Sequence, residues 1–279
     1  MEIVQGALYI VGTPIGNLGD FSPRAVETLE KVDFIAAEDT RVTMKLLNRF
    51  EIKKPLLSYF EHNKAERGNL ITAKLREGES CALVSDAGMP AISDPGETLV
   101  AQCAVQGIPV YVVPGPSAVI AALAVSGLPT GRFTFEGFLS MNKKNRREHL
   151  LSLQNETRTM VFYEAPHKLR RTLADFYQYF GERKIALVRE ITKIHEETLR
   201  MNLSEAAKRY KDKEPKGEFV LVIEGAPQQI EKEEITFEDA VALADRFMAD
   251  GQSASEAAKN AVAGTSIKKG EVYRTIARE

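Results

Sequence analysis

Val84-Ser-Asp-Ala-Gly-Met-Pro-Ala-Ile-Ser-Asp-Pro-Gly96 follows a short apolar run, Ala82–Ser85, and leads into an amphipathic stretch, Glu97–Gln106. Two Asp, two Pro and two Gly in 13 residues are costly for a mere connection between a buried strand and a helix. In open α/β sheets, ligands bind beyond the carboxyl ends of the strands, where such loops gather. Upstream, apolar runs at Leu8–Val11, Phe34–Ala37 and Leu56–Tyr59 alternate with helical patterns at Pro23–Val32, Thr40–Phe50 and Lys64–Glu77. Downstream lies one more strand, Val110–Val113. Ser22 before Pro23 is a helix start, an N-cap followed by proline at the first helical position. This alternation predicts a mainly parallel sheet covered on both faces.

Pro114-Gly115-Pro116 breaks the chain, so the first lobe is expected over residues 1–115. The following part, 116–227, is richer in strands: Phe133–Leu139, Met160–Tyr163, Ile185–Val188, Thr198–Met201 and Phe219–Ile223. Its helical patterns are Ala118–Val125, Arg146–Leu153, His167–Tyr179 and Ser204–Tyr210, which predicts a mixed sheet. An acidic stretch from Glu231 leads to a third unit, 235–279. There Phe237–Ala249, Ala254–Ala263 and Ile267–Ala277 read as short helices, with Ser253 and Glu256 spaced as a capping box. The pattern resembles a helix-turn-helix; a helical cap or a dimer seam fits it equally. The expected class is α/β, with two α/β lobes and a small C-terminal helical unit.

Composition narrows the function classes. With 44% hydrophobic and 27% charged residues among 279, the chain is neither disordered nor fibrous. Its longest nearly continuous apolar run, Ala118–Val125, falls far short of the roughly 20 residues a membrane span needs. The apolar stretch near the N-terminus, Ala7–Val11, is too short for a secretory signal. Cys81 and Cys103 have neither disulfide nor metal-ligand spacing and read as buried thiols, which points to the cytoplasm. His62, His149, His167 and His195 are scattered, so no metal site is expected. Net charge is −2, but residues 141–171 carry eight Lys/Arg against three Glu, and only a local patch need face a phosphate backbone.

Two further loops sit at strand ends. Gly12-Thr-Pro-Ile-Gly16-Asn-Leu-Gly19-Asp20 has the wrong glycine spacing for a dinucleotide fingerprint and no Lys-Ser/Thr for a P-loop. Val113-Pro-Gly-Pro-Ser117-Ala118 is strand, rigid turn and helix start. Three stiff, small-residue loops at strand ends predict a ligand crevice.

Taken in order, Gly12–Asp20, Ala37–Arg41, Ser85–Gly96, Val113–Ser117, Tyr163-Glu-Ala-Pro-His167 and Arg189-Glu-Ile-Thr-Lys193 resemble the tetrapyrrole-methylase family of S-adenosylmethionine (SAM) enzymes. Within it they resemble the branch that methylates small-subunit ribosomal RNA, from residue 6 to about 225, and the helical tail matches that branch's usual appendage. The resemblance implies SAM in the cleft between the lobes and 2′-O-methylation of a cytidine ribose in the decoding region of 16S ribosomal RNA. It also implies a homodimer, and naked RNA or the assembled 30S subunit as partner. Positions matching the family's cofactor contacts are Pro14, Ser85, Asp86, Ala87, Gly88, Ile92, Ser117, Ala118, Tyr163 and Glu164. Corrin- and siroheme-making relatives carry a Gly-Gly-Asp-Pro-type sequence where this chain has Ser85–Pro90, which argues against a tetrapyrrole acceptor. That acceptor, and a non-enzymatic nucleic-acid-binding role for the tail, are the alternatives.

A ribose hydroxyl needs a proton acceptor to become a good nucleophile. Asp39 matches an acidic residue that some relatives place on the acceptor side; it is the expected base, although Asp is also an ordinary N-cap. His62 lies near a position that is cationic in those relatives and could orient a phosphate or share the proton, or merely cap a helix. Arg41, Arg189 and Lys193 at strand ends, with Lys143, Lys144, Arg146 and Arg147, are the candidate phosphate contacts. Surface ion pairs are the competing reading for Arg41, Arg189 and Lys193.

Overall fold

A computed structural model describes residues 2–227 and 235–277. Residues up to Ala226 form one compact unit, and those from Pro227 a second.

The first sheet is parallel throughout, in the order β3 (Leu56–Ser58), β2 (Phe34–Ala37), β4 (Cys81–Val84), β1 (Leu8–Val11), β5 (Val110–Val113). Strand β1 shows why its residues are nearly all apolar. Leu8 and Ile10 enter a core with Ile71, Leu75, Leu99 and Cys103, while Tyr9 and Val11 enter another with Ala25, Leu29 and Leu47. A strand buried on both faces has no polar side to show. The helices supplying those covers are α1 (Pro23–Lys31), α2 (Thr40–Arg49), α3 (Lys64–Arg76) and α4 (Gly96–Val105). Ser22 caps α1 as expected, accepting from the Ala25 amide at 3.1 Å. Helix α1, which follows β1, packs on one face; α4, which follows the adjacent β4, packs on the other. Neighbouring strands whose helices leave to opposite faces define a switch point, and the loops after β1 and β4 open there.

The second sheet is mixed, in the order β6 (Phe133–Phe138), β7 (Thr159–Glu164), β10 (Phe219–Ile223), β8 (Lys184–Arg189), β9 (Glu197–Asn202). Only β6 and β7 pair in parallel. On one face Val161, Val188, Val220 and Val222 pack under α5 (Ala118–Ser126). The other holds the largest aromatic cluster, including Phe162, Phe176, Phe180 and Phe219, beneath α6 (Lys143–Ser152), α7 (Pro166–Phe180) and α8 (Leu203–Tyr210). Helix α6 begins earlier than Arg146, the expected start. The Asn142 side-chain oxygen accepts from the Lys144 and Asn145 amides at 2.9 and 3.2 Å and starts the helix at Lys143.

The second unit contains α9 (Phe237–Ala249), α10 (Ala254–Ala261) and α11 (Lys269–Ile276) around an alanine-rich core. The expected capping box at Ser253 is half formed. Its hydroxyl accepts from the Glu256 amide at 3.3 Å, but the Glu256 carboxylate takes that hydroxyl, at 2.9 Å, instead of the Ser253 backbone N–H. A reciprocal box closes instead between Thr236 and Asp239. Most of the acidic stretch after Pro227 lies outside the described residues. Cys81 and Cys103 are buried free thiols, and burial pushes the Cys103 thiol up to about 11. Among the described residues no helix is long and apolar enough to cross a membrane, and no group of His, Cys, Asp or Glu could hold a metal ion.

Candidate active site

A cleft of about 680 Å³ lies between the carboxyl ends of the first sheet and one face of the second. The loops after β1, β4 and β5 are tied to one another. Thr13 and Gly88 exchange backbone hydrogen bonds of 2.9 and 3.1 Å, and Gly12 abuts Gly115 so closely that a Cβ on Gly12 would lie 2.6 Å from the Gly115 Cα. The long loop is strained: Ala91 and Ser93 have φ of 67° and 61°, a region costly for residues with a Cβ. Asp94 holds it, its Oδ1 accepting from the Ala91 amide at 3.0 Å and the Gly96 amide at 2.7 Å. The buried Tyr59 donates to the Pro95 carbonyl at 3.0 Å from the opposite side. Such strain persists where surrounding contacts over-determine it, commonly at ligand clamps.

Nine of the ten expected cofactor positions line this cleft: Ser85, Asp86, Ala87, Gly88, Ile92, Ser117, Ala118, Tyr163 and Glu164. Pro14 does not; its neighbour Ile15 does. The side chain of Glu164 is engaged elsewhere, accepting from Thr172 Oγ1 and, at 2.9 Å, from the Ala165 amide.

Asp39 and His62 are not among the lining residues. The Asp39 carboxylate caps α2, accepting from the Arg41 amide at 2.8 Å, and forks with the Arg41 guanidinium at 3.0 and 2.6 Å. Those Arg41 hydrogen bonds lower its pKa to about 2, which makes it a weak proton acceptor. In this structure the Asp39 carboxylate serves as the N-cap of α2 and pairs with a cation, the competing reading that the sequence offered for it. Its neighbour Glu38, which sequence reasoning did not single out, lines the cleft. Partial desolvation, then the nearby carboxylates of Asp86 and Asp94, raise the Glu38 pKa. The signal was present: Glu38 is the first residue beyond the carboxyl end of β2. His62 is exposed, its ring set edge-on to Phe60 at 6.3 Å.

The cations divide into two groups. Lys143, Lys144 and Arg147 are exposed on α6. Arg146 is only 4% exposed; its Nε donates to Asp175 at 2.7 Å and its Nη2 to Thr172 at 2.7 Å, so the expected phosphate contact there gives way to a buried strut between α6 and α7. Lys193 bridges Glu190 and Glu218 at 3.0 and 2.9 Å, and its stem packs against Gly16, joining the first loop to the second sheet. Arg189 donates to the Lys216 carbonyl at 2.6 Å, and Arg41 is held by Asp39 as above. Sequence reasoning also missed Phe138, an aromatic ring on the cleft wall.

Comparison with known proteins places this geometry. The family model "Tetrapyrrole (Corrin/Porphyrin) Methylases" matches residues 7–207. The chain is 47% identical over 271 residues to "Ribosomal RNA small subunit methyltransferase I" of Synechocystis, covering 97% of both chains. It is 52% identical over 221 residues to the protein of the same name from Thermotoga maritima, covering 79% of this chain and 99% of that one. Among solved structures, the uroporphyrin-III C-methyl transferase of Thermus thermophilus complexed with S-adenyl homocysteine superposes with a TM-score of 0.55 at 17% identity. That likeness covers 78% of this chain and 97% of the other, and shows the shared fold. With its parallel and mixed sheets enclosing the cleft, the chain belongs to the tetrapyrrole methylase family, alongside the relatives named ribosomal RNA small subunit methyltransferase I.

Proposed function

We propose that the chain is a SAM-dependent methyltransferase that modifies the 2′-hydroxyl of a cytidine ribose in small-subunit ribosomal RNA. The observation that carries the ribosomal RNA methyltransferase part of this reading is 47% identity, over 97% of both chains, with a relative named ribosomal RNA small subunit methyltransferase I. The cleft suits SAM. Gly88, at φ +86°, brings backbone groups to the wall where a side chain would be strained, and Ala87, Ser117 and Ala118 leave space beside them. Ile92, Val188 and Val220 supply apolar wall for a purine. Glu38, Asp86 and Asp94 place negative charge near a bound sulfonium.

When bound, SAM supplies an electrophilic methyl carbon on a positively charged sulfur. Transfer of that methyl to a ribose oxygen would require the hydroxyl proton to leave the oxygen. Glu38, which lines the cleft just beyond β2, is our candidate acceptor, and its raised pKa supports that role. Asp39 and Arg41 hold the start of α2 beside it. Holding nucleophile and methyl in line supplies much of the acceleration, several kcal/mol in well-oriented reactions. Lys143, Lys144 and Arg147 are the exposed cations suited to RNA phosphates.

The protein acts in the cytoplasm, as a two-fold dimer, the commonest soluble assembly. The exposed edge strand β5, with Tyr111 and Val112 open to solvent, supports a partner copy there. The test is to offer labelled SAM with 30S subunits, naked 16S RNA or a porphyrinoid. Label in RNA, in either form, supports the reading; label in the porphyrinoid alone overturns it.

A further inference from the structure

Strand β6 contains a bulge that turns one aromatic ring into the cleft. Against β7 the register runs Phe133↔Thr159, Thr134↔Met160 and Phe135↔Val161, then skips Glu136 to Gly137↔Phe162 and Phe138↔Tyr163. Val161 and Tyr163 face the α5 side of the sheet; Met160 and Phe162 face the opposite core. A strand's side chains alternate, so an unbroken β6 would send Phe138 to the face opposite Phe135, into the aromatic core. The extra residue reverses that. Gly137, at φ +61°, permits the bend, and both Phe135 and Phe138 meet the Tyr163 ring, with centroids 5.0 and 5.5 Å away.

This placement carries a cost. Phe138 is a large apolar ring left 58% exposed on the cleft wall. Bulges beside functional sites re-aim side chains. The next residues along the chain indicate the ligand's chemistry. Met141 is 61% exposed, and Lys143, Lys144 and Arg147 come after it on the exposed side of α6. An open aromatic face beside a run of cations is how proteins hold a single-stranded nucleic acid: bases stack on the ring, and phosphates meet the cations.

We propose that Phe138 is the stacking platform for an unstacked nucleobase of the acceptor strand, and that Lys143, Lys144 and Arg147 take its flanking phosphates. The inference rests on the RNA methyltransferase reading and adds to it a named subsite. A nucleotide taken out of its stack exposes its ribose to the cleft, and the ring holds it there. Adenine of the cofactor is the other planar ring that could reach Phe138, and the experiment separates the two.

Single-turnover methyl transfer is measured against the concentration of 30S subunits for wild type, Phe138→Ala, Phe138→Leu and Phe138→Tyr, with the SAM dissociation constant measured by calorimetry. Phe138→Ala and Phe138→Leu are expected to raise the half-saturating subunit concentration by roughly 5- to 150-fold, the equivalent of about 1–3 kcal/mol for one stacked base. Phe138→Tyr keeps the aromatic face and should stay near wild type, with SAM affinity unchanged throughout. Exposed substitutions at this position leave the cores intact, which a thermal melt verifies. Unchanged half-saturation in Phe138→Ala overturns the proposal, as does a leucine as good as tyrosine. A loss confined to SAM affinity assigns the ring to adenine and also overturns it. If wild type transfers no methyl to 30S subunits or to naked RNA, the underlying reading fails first.

Discussion

Replacing Arg146 separates its structural role from the phosphate contact expected of a basic segment. Its guanidinium is sealed between α6 and α7, donating to Asp175 and Thr172 at 2.7 Å each, and Thr172 in turn donates to Glu164 on the cleft wall. Arg146→Met keeps most of the apolar stem but removes both donors. Hydrogen bonds from a charged donor contribute about 1.5–3 kcal/mol each. The Asp175 side chain is 23% exposed and has Arg171 at 3.8 Å, which offsets part of this. The net destabilisation should be about 3 kcal/mol, less than the upper range for breaking a fully buried pair. In a unit of this size that lowers the melting temperature by roughly 6–12 °C. Arg146→Lys should recover only part, because a single ammonium cannot reproduce the fork. Scanning calorimetry provides the assay, with SAM titration beside it; cofactor affinity should weaken too as the Glu164 end of β7 loosens. A variant that melts within about 2 °C of wild type while losing RNA affinity and salt dependence would refute the buried-strut account.

Three other outcomes rest on the same geometry. Glu38→Gln should slow single-turnover transfer by about two to four powers of ten, while Asp39→Asn, which still caps α2, should barely change the rate. The base works only when ionised, so the wild-type rate should fall as pH drops through the Glu38 pKa, which burial and the Asp86 and Asp94 carboxylates raise, and Glu38→Gln should abolish that fall. Because folding raises this pKa, the ionised carboxylate costs stability at neutral pH, and Glu38→Gln should melt no lower than wild type. Replacing Lys143, Lys144 and Arg147 together with alanine should flatten the salt dependence of RNA binding, by about 0.7 in logarithmic slope for each single-strand phosphate no longer neutralised, leaving SAM affinity intact. Gly12→Ala would set a Cβ 2.6 Å from the Gly115 Cα and 2.7 Å from Met89 Sδ, forcing the loops apart. It should cost about 1–3 kcal/mol of stability and weaken SAM binding in calorimetry.

The central strands were legible because burial on both faces demands unbroken apolar runs: β1, β2 and β10 fall where the sequence places them. The start of α6 was harder to read, because Asn142 caps a first turn made of exposed lysines with no apolar periodicity. At the cleft, small residues and strand-end loops announced nine lining positions. Side-chain roles were hidden wherever partners come from distant segments. Nothing near Arg146 in sequence discloses Asp175, 29 residues away, and an arginine in a basic run reads as a surface charge. Asp39 and Glu38 are adjacent and chemically alike; the Arg41 fork lowers the pKa of one, while burial, then the Asp86 and Asp94 carboxylates, raise that of the other. The bulge at Glu136 was not read, although the three-residue step from Phe135 to Phe138 and the glycine between them both break a regular alternation.

Methylation at a ribose 2′-oxygen leaves a chemical mark that one digestion reveals. Alkali cuts RNA through the free 2′-hydroxyl, so a 2′-O-methyl group protects the phosphodiester on its 3′ side. Small-subunit RNA labelled by this protein and SAM should release its label, after complete alkaline hydrolysis, in one alkali-stable dinucleotide with cytidine at its 5′ position. Label released in a mononucleotide would place the methyl on a base, and an RNA left unlabelled both naked and within the 30S subunit would remove ribosomal RNA as the substrate.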